Sequence, residues 1–110
     1  MAAKTGVRIL VVEDNPAVLE LLRKGMEQCG EVLTATDGAD GLLKAIEEQP
    51  DLILSDYDMP GLNGRQLYEK LRARDQTKKI SFIFLASKTH IEERLRQFTD
   101  GVEDYIVKPF

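Results

Sequence analysis

The sequence predicts an α/β fold in which helices cover both faces of a five-stranded parallel sheet. Short apolar runs alternate with segments whose apolar residues recur at helical spacing, and short turns connect them. Continuous apolar runs separated by helices are typical of strands buried on both faces of a doubly wound sheet. The 110 residues, 43% of them hydrophobic and 31% charged, are close to the average for soluble globular proteins and suffice for one domain.

The first strand and helix occupy roughly the first 30 residues. Residues 7–12 are apolar apart from Arg8 and rich in β-branched residues, which predicts a buried strand. Asn15 before Pro16 predicts a helix start, because Asn caps helices and proline suits the first helical position. Gly30 is a suitable helix end. One face of this helix consists of Val18, Leu22, Gly25, Met26 and Cys29. We expect the last two to lie in the core, as free cysteine usually does.

A second helix separates the next two strand candidates. Residues 32–35 and 52–54 are short apolar segments that predict the second and third strands. Asp37-Gly38 is a turn before a helical segment that ends at Gln49-Pro50. The apolar stripe of this helix consists of Ala39, Leu42, Leu43 and Ile46.

Two further strands complete the alternation. A third helix begins at about Gly64 and is followed by a fourth strand over residues 80–85. Residues 89–101 predict a fourth helix that opens with a capping box, and residues 105–107 predict the fifth strand. We expect the third helix to direct Leu67, Tyr68 and Leu71 inward. The fourth helix would have Ile91, Leu95 and Phe98 on one side.

Composition and charge exclude several classes of function. The formal net charge is −4 and no basic run exceeds Lys78-Lys79, which argues against binding nucleic acid or an anionic membrane directly. Cys29 has no disulfide partner, and with His90 as the single histidine a structural zinc site is excluded. No apolar run approaches the roughly 18 residues of a membrane span, and residues 1–6 lack a signal-peptide core. We therefore expect a cytoplasmic chain.

Acidic residues gather at the carboxyl ends of the predicted strands. Glu13 and Asp14 follow the first strand, Asp56 ends the third, and Asp58 comes two residues later. Ligands bind beyond these ends in doubly wound sheets, and strand order 2-1-3-4-5 makes the first and third strands neighbours. Carboxylates brought together repel one another unless a cation neutralises them, and Mg²⁺ prefers oxygen ligands. The sequence therefore predicts a Mg²⁺ site at this edge.

Lys108 follows the fifth strand and adds a positive charge to the same edge. A metal held by few carboxylates keeps open positions for phosphate oxygens, and a carboxylate can attack phosphorus to form an aspartyl phosphate. Asp56 is the best candidate, because it ends a buried strand, and Gly61 and Gly64 let the backbone fold around a ligand. Singly, these residues could be caps, turn residues or a solvated lysine; together, at three strand ends, they favour a site.

These motifs resemble the receiver domain of two-component response regulators, similar to the chemotaxis regulators. Residues 13–15 (Glu-Asp-Asn), 56–64 (Asp-Tyr-Asp-Met-Pro-Gly-Leu-Asn-Gly) and 104–110 (Asp-Tyr-Ile-Val-Lys-Pro-Phe) have the family's order and spacing. The resemblance implies a flavodoxin-like fold and a phosphoryl group transferred to Asp56 from a histidine kinase or phosphotransfer protein. It also implies a downstream output domain or partner protein, contacted through the fourth helix and fifth strand.

The resemblance assigns a role to each residue of the acidic edge. Asp14 and Asp56 would bind Mg²⁺ through their carboxylates, Asp58 through its backbone carbonyl, and Glu13 through water. Lys108 would contact the phosphoryl group. We therefore expect three elements to suffice for phosphoryl transfer: the acceptor Asp56, the ion and Lys108.

One position departs from the family's pattern. Where the family has Thr or Ser at the end of the fourth strand, this chain has Ala86, and Ser87 comes one residue late. Side chains alternate along a strand, so Ser87 would point away from the site unless the strand ends or bulges there. The family couples that hydroxyl to an aromatic residue, here Tyr105. We therefore expect the conformational response to phosphorylation to be weaker or to follow a different route. Asp58 and Lys88 would tune the lifetime of the phosphoryl group.

Two other functions stay open at this point. One is an aspartyl-phosphate phosphatase of the haloacid dehalogenase type, whose opening motif Asp56-Tyr57-Asp58 resembles. Here, however, the motif is on the third strand instead of the first, and no acidic pair follows a late strand. The other is a pseudo-receiver, a binding module without a switch, which Ala86 alone supports. We expect a signalling module that catalyses only its own phosphorylation and slow dephosphorylation.

The pattern has five strands but only four helices, and it stops at Phe110, where the family's fifth helix would begin. We therefore expect residues 1–110 to be one receiver domain cut short at its C-terminus. A dimer is an open alternative to a monomer, and the kinase and output are not specified.

Overall fold

The computed structural model describes residues 6–86 and 104–107, which form a five-stranded parallel sheet with three helices. The strands are β1 (Arg8–Val12), β2 (Glu31–Ala35), β3 (Leu52–Asp56), β4 (Ser81–Ala86) and β5 (Asp104–Val107). The helices are α1 (Pro16–Met26), α2 (Gly38–Glu48) and α3 (Gly64–Arg72). The sheet order is β2-β1-β3-β4-β5, which confirms the predicted doubly wound topology. The predicted fourth helix lies outside the described residues.

A hydrophobic core lies on each face of the sheet. Leu10, Ile53 and Phe82 belong to the core that also contains buried residues of α2 and α3, whereas Ile9 and Leu54 pack with residues of α1 on the opposite face. Neighbouring residues of one strand serve different cores because side chains alternate across a sheet. Both faces of the central strands are therefore shielded from water, which explains their continuous apolar sequences.

An aromatic cluster fixes the backbone near the end of β3. The ring of Tyr68 on α3 meets Phe82 edge-on at 5.3 Å between centroids, and Phe82 lies 4.9 Å from Phe84. Tyr57, the residue after Asp56, packs against Phe84 at 5.2 Å. Tilted and edge-to-face pairs at these distances are favourable beyond the area they bury. The chain leaving β3 is thus held by packing directly beside the predicted phosphoacceptor.

Polar caps fix where the helices begin. The side chain of Asn15 accepts hydrogen bonds from the N–H groups of Ala17 and Val18 at 2.9 and 3.2 Å, which confirms the predicted start of α1. Asn63 and Gln66 form a reciprocal capping box at the start of α3. Among the described residues, no helix combines the length and the apolar character needed to cross a membrane.

The prediction that Cys29 lies in the core is wrong, because Cys29 is exposed. α1 ends at Met26 and not near Gly30, and the N–H of Cys29 donates to the carbonyl of Met26 at 2.9 Å in the turn that follows. The apolar stripe therefore stops with Met26, which is partly buried against the core beneath α1.

Candidate metal centre

The predicted acidic residues meet because β1 and β3 are paired neighbours. Val12, the last residue of β1, is the Cα partner of Ser55 in β3. Each chain continues from there into its acidic residues, so that carboxylate oxygens of Glu13, Asp14 and Asp56 lie within 4.8 Å of one another. We call these three side chains the acidic cluster. The structure thus brings together three of the four residues predicted for the metal site.

The exposure of the acidic cluster suits a hydrated cation. Glu13 and Asp56 are 1% and 5% exposed, whereas Asp14 is exposed to solvent. Buried carboxylates at such short separations are costly unless a cation neutralises them. Mg²⁺ binds through one or two carboxylates and keeps several waters. An all-oxygen donor set with one side open to solvent therefore fits this ion.

Hydrogen bonds hold the segment that carries Glu13. Its N–H extends the sheet by donating to the carbonyl of Ala35 at 3.0 Å. Its Oε2 accepts from the N–H of Asn15 at 3.1 Å, the residue that also caps α1. The Glu13 carboxylate is therefore anchored at the helix start.

The loop after β3 folds back onto the end of the strand. The N–H of Tyr57 donates to the carbonyl of Leu85 at 3.0 Å, and the N–H of Gly64 donates to the carbonyl of Tyr57 at 3.0 Å. A Cβ at Gly64 would lie 2.2 Å from the carbonyl oxygen of Asp56, so only glycine permits this approach. The predicted role of Gly64 in bringing the backbone around the site agrees with this geometry.

The other predicted site residues are distributed as follows. Asp58 is an exposed residue of the loop after β3, and its carboxylate is not part of the acidic cluster. Ala86 ends β4 and is the Cα partner of Val107, and Tyr105 is part of β5. Outside the described residues lie Ser87, Lys88 and Lys108.

Gly38, at the start of α2, contacts the same loop in a way that the sequence did not reveal. It was predicted only as part of a turn, yet a Cβ there would lie 2.0 Å from the carbonyl oxygen of Leu62. The two residues are 24 positions apart in the sequence, and no local pattern reports such a contact. Only the packing of α2 against α3 and its loop could have indicated it.

Comparison with known proteins identifies the family. A profile of the response regulator receiver domain matches residues 9–110. The transcriptional regulatory protein PrrA of Mycobacterium tuberculosis is 39% identical over 107 residues, which are 96% of this chain and 45% of PrrA.

Two solved structures show the same fold. The chemotaxis response regulator CheY4 of Vibrio cholerae superposes with a TM-score of 0.85 at 30% identity, over 94% of this chain and 88% of that one. The receiver domain of the sensor histidine kinase PA1611 from Pseudomonas aeruginosa has a magnesium ion coordinated in its active-site cleft. Its TM-score is 0.83 at 30% identity, with 96% and 87% of the two chains covered.

These similarities favour one of the functions that the sequence left open. The chain spans less than half the length of PrrA, so the similarity concerns the receiver part of such regulators. It favours a signalling receiver over a phosphatase of the haloacid dehalogenase type, and receiver domains are not classical enzymes. The chain belongs to the response regulator receiver domain family.

Proposed function

We propose that Asp56 accepts a phosphoryl group from a phosphohistidine on a sensor histidine kinase or phosphotransfer protein. The supporting observation is the acidic cluster at the end of β3, where carboxylate oxygens of three residues lie within 4.8 Å. Residues 1–110 would act as one receiver domain. Phosphorylation would then switch an output domain or partner protein through the face formed by the fourth helix and the fifth strand.

Mg²⁺ would be held by the carboxylates of Asp14 and Asp56 and by the carbonyl of Asp58, with Glu13 acting through water. The ion, when bound, neutralises the acidic cluster and offers positions for phosphoryl oxygens. Asp56, a residue 5% exposed, is then held in one place by β3, and the next residue, Tyr57, is packed against Phe84. Such fixed geometry is the main protein contribution to phosphoryl transfer.

In the transfer step, a carboxylate oxygen of Asp56 attacks phosphorus. An O–P bond forms, the N–P bond of the phosphohistidine breaks, and the departing imidazole retains the electron pair and takes up a proton from solvent. Charge on the three equatorial oxygens needs positive partners. Lys108 would be one, because it directly follows Val107, the Cα partner of Ala86. The pairing of Asp56 with Leu85 links the end of β3 to β4 in the same way. The ends of β3, β4 and β5 are therefore adjacent in the sheet.

The response to phosphorylation would be weaker than in receivers with a hydroxyl at the end of β4. Ala86 occupies that position and has no group that can bind a phosphoryl oxygen, while Ser87 comes one residue later. Asp58 and Lys88 would set the phosphoryl lifetime. Amide NMR spectra with Mg²⁺ and beryllofluoride test the switch: full shifts around Ala86 and Tyr105 would show that the response is intact.

Acetyl phosphate with Mg²⁺, followed by intact mass spectrometry, tests the phosphoacceptor. We expect one phosphoryl adduct on the parent chain, none on Asp56→Ala, and an unchanged adduct on the control Asp75→Ala, whose side chain is 95% exposed. Absence of an adduct with any donor would support a pseudo-receiver. Sustained turnover of phosphomonoesters that Asp58→Asn abolishes would support a phosphatase.

A further inference from the structure

We infer that the first turn of α2 positions both chain segments of the metal site, and that Gly38 is a positioning residue for the cation although it offers no ligand side chain. The identity of the ion as Mg²⁺ rests on the proposed function. The first turn of α2 lies between the loop after β3 and the end of β1. Each of these segments continues into residues of the site.

The contact on the loop side is between backbones. Gly38 is buried, and an added Cβ would lie 2.0 Å from the carbonyl oxygen of Leu62 and 2.8 Å from its carbonyl carbon. A side chain at Gly38 could be accommodated only by moving the loop or the helix, since the opposing atoms cannot change rotamer. Leu62 is four residues beyond Asp58 in a loop whose ends are joined by the Gly64–Tyr57 hydrogen bond. Displacement of Leu62 is therefore passed along the loop.

The contact on the other side reaches the end of β1. A Cβ at Gly41 would lie 2.9 Å from Cγ2 of Val12, the residue directly before Glu13 and Asp14. This contact involves a buried side chain of the core. One helical turn thus touches the strand that leads into two acidic residues and the loop that contains Asp58. The pairing of β1 with β3 brings the two segments together, and this turn of α2 packs against both of them.

The first turn of α2 is itself held in place. Asp37 caps it by accepting the N–H of Asp40 at 2.7 Å, and the N–H of Gly41 donates to the carbonyl of Asp37 at 2.9 Å. One turn later, the ammonium of Lys44 donates to the carbonyl of Thr34 in β2 at 2.5 Å. The cap keeps the first turn intact and the Lys44 bond ties α2 to β2, so we expect a bulkier residue at Gly38 to displace the loop. Mg²⁺ demands near-ideal octahedral geometry, and such a displacement should weaken its binding.

Gly38→Ala tests the inference, with Gly30→Ala as its matched control. A Cβ at Gly30 would lie 2.3 Å from the carbonyl oxygen of Val7, a similar backbone clash at the opposite edge of the sheet. The five residues of β1 separate the two edges by roughly 17 Å. We would measure the Mg²⁺ Kd by amide NMR titration, and stability by urea unfolding without metal. Both variants should lose stability, and only Gly38→Ala should raise the Kd, by about tenfold, as outer-shell changes do at metal sites.

An unchanged Kd in Gly38→Ala, or an equal rise in both variants, would overturn the inference. If Gly38→Ala does not fold, Asp37→Ala and Asp37→Asn replace it: both remove the charge, but only Asn preserves the cap. The Kd should then be higher for Asp37→Ala than for Asp37→Asn, and equal values would refute the positioning role.

A parent chain that binds no Mg²⁺ would refute the proposed metal site without deciding the role of Gly38. The amide spectrum of metal-free Gly38→Ala then decides it. Shifts over the loop, residues 57–63, that are absent from Gly30→Ala would support positioning by α2. Shifts confined to α2 would contradict it.

Discussion

The two edges of the sheet arrange their charges in opposite ways. At the amino edge, the guanidinium of Arg8 lies 3.3 Å from the carboxylate of Glu31 and 2.6 Å from that of Glu48, and it also donates to the Glu48 carbonyl. At the carboxyl edge, the acidic cluster gathers like charges within 4.8 Å. Acidic residues at a sheet edge therefore do not by themselves indicate a site. A site is indicated where several carboxylates converge within reach of a single cation, as they do in the acidic cluster.

The amino edge is a structural junction. The hydrogen bond to Glu48 is the largest cause that raises the pKa of Arg8 above its ordinary value, and the charge of Glu31 also raises it. Arg8 therefore keeps its charge at any working pH. The backbone N–H of Arg8 donates to Oδ2 of Asp51, and the N–H of Asp51 donates to the carbonyl of Arg8, both at 2.8 Å. These bonds tie β1 to β2, to the end of α2 and to the entry of β3. The charged residues of this edge therefore connect elements of the fold.

The largest effect should come from removing one charge of the acidic cluster. Without metal, Asp56→Asn should raise the free energy of unfolding by about 2 kcal/mol, roughly half the repulsion of two charges 4 Å apart at an effective dielectric constant near 20. Urea unfolding in a metal chelator measures this. Excess Mg²⁺ stabilises only a chain that binds it. Adding Mg²⁺ should therefore raise the free energy of unfolding of the parent chain more than that of the variant. The exposed Asp75→Asn serves as control, and a less stable Asp56→Asn would contradict the repulsion.

An intermediate effect should follow from removing the basic centre of the amino edge. Arg8→Met keeps an apolar stem but loses the contacts to Glu31 and Glu48, and we expect a loss of about 1 kcal/mol because the pairs are partly exposed. Urea unfolding checks the loss, with Arg65→Met on α3 as the control. The Mg²⁺ Kd should stay unchanged. A Kd that rises in Arg8→Met would show that the two edges are not independent.

The smallest effect belongs to an ion pair away from both edges. Hydrogen bonds from Arg23 lower the pKa of Glu20 below its ordinary 4.5. A lowered carboxyl pKa stabilises the folded chain above the unfolded pKa, and this contribution is lost as the pH falls through the folded value. Glu20→Gln should therefore lower Tm slightly at about pH 7 and not at about pH 2. An equal shift at both values, or the same shift in the exposed control Glu47→Gln, would exclude the pairing.

Much of the fold and of the acidic cluster follows from the sequence, because apolar runs are local patterns and the strand order follows from a general rule for doubly wound sheets. The apolar runs mark the strands, and the order 2-1-3-4-5 alone brings Asp14 and Asp56 together. Cys29 was misplaced because helical periodicity says which face a residue occupies, and not where the helix ends. Gly38 was missed because its contact with Leu62 is set by the packing of separate elements. Neither the C-terminal end of α1 nor the long-range approach of Gly38 to Leu62 is encoded in a short window.

The loop between β3 and α3 has an upper and a lower limit to its length. Its ends are joined by the hydrogen bond from the N–H of Gly64 to the carbonyl of Tyr57. Leu62, two residues before Gly64, contacts Gly38. In a free surface loop, doubling the length costs only about 0.6 kcal/mol of closure entropy. Here, we expect one inserted or deleted residue to disturb the contact of Leu62 with Gly38 or the hydrogen bond of Gly64 with Tyr57. Receivers descended from this chain should therefore vary in sequence within this loop long before they vary in its length.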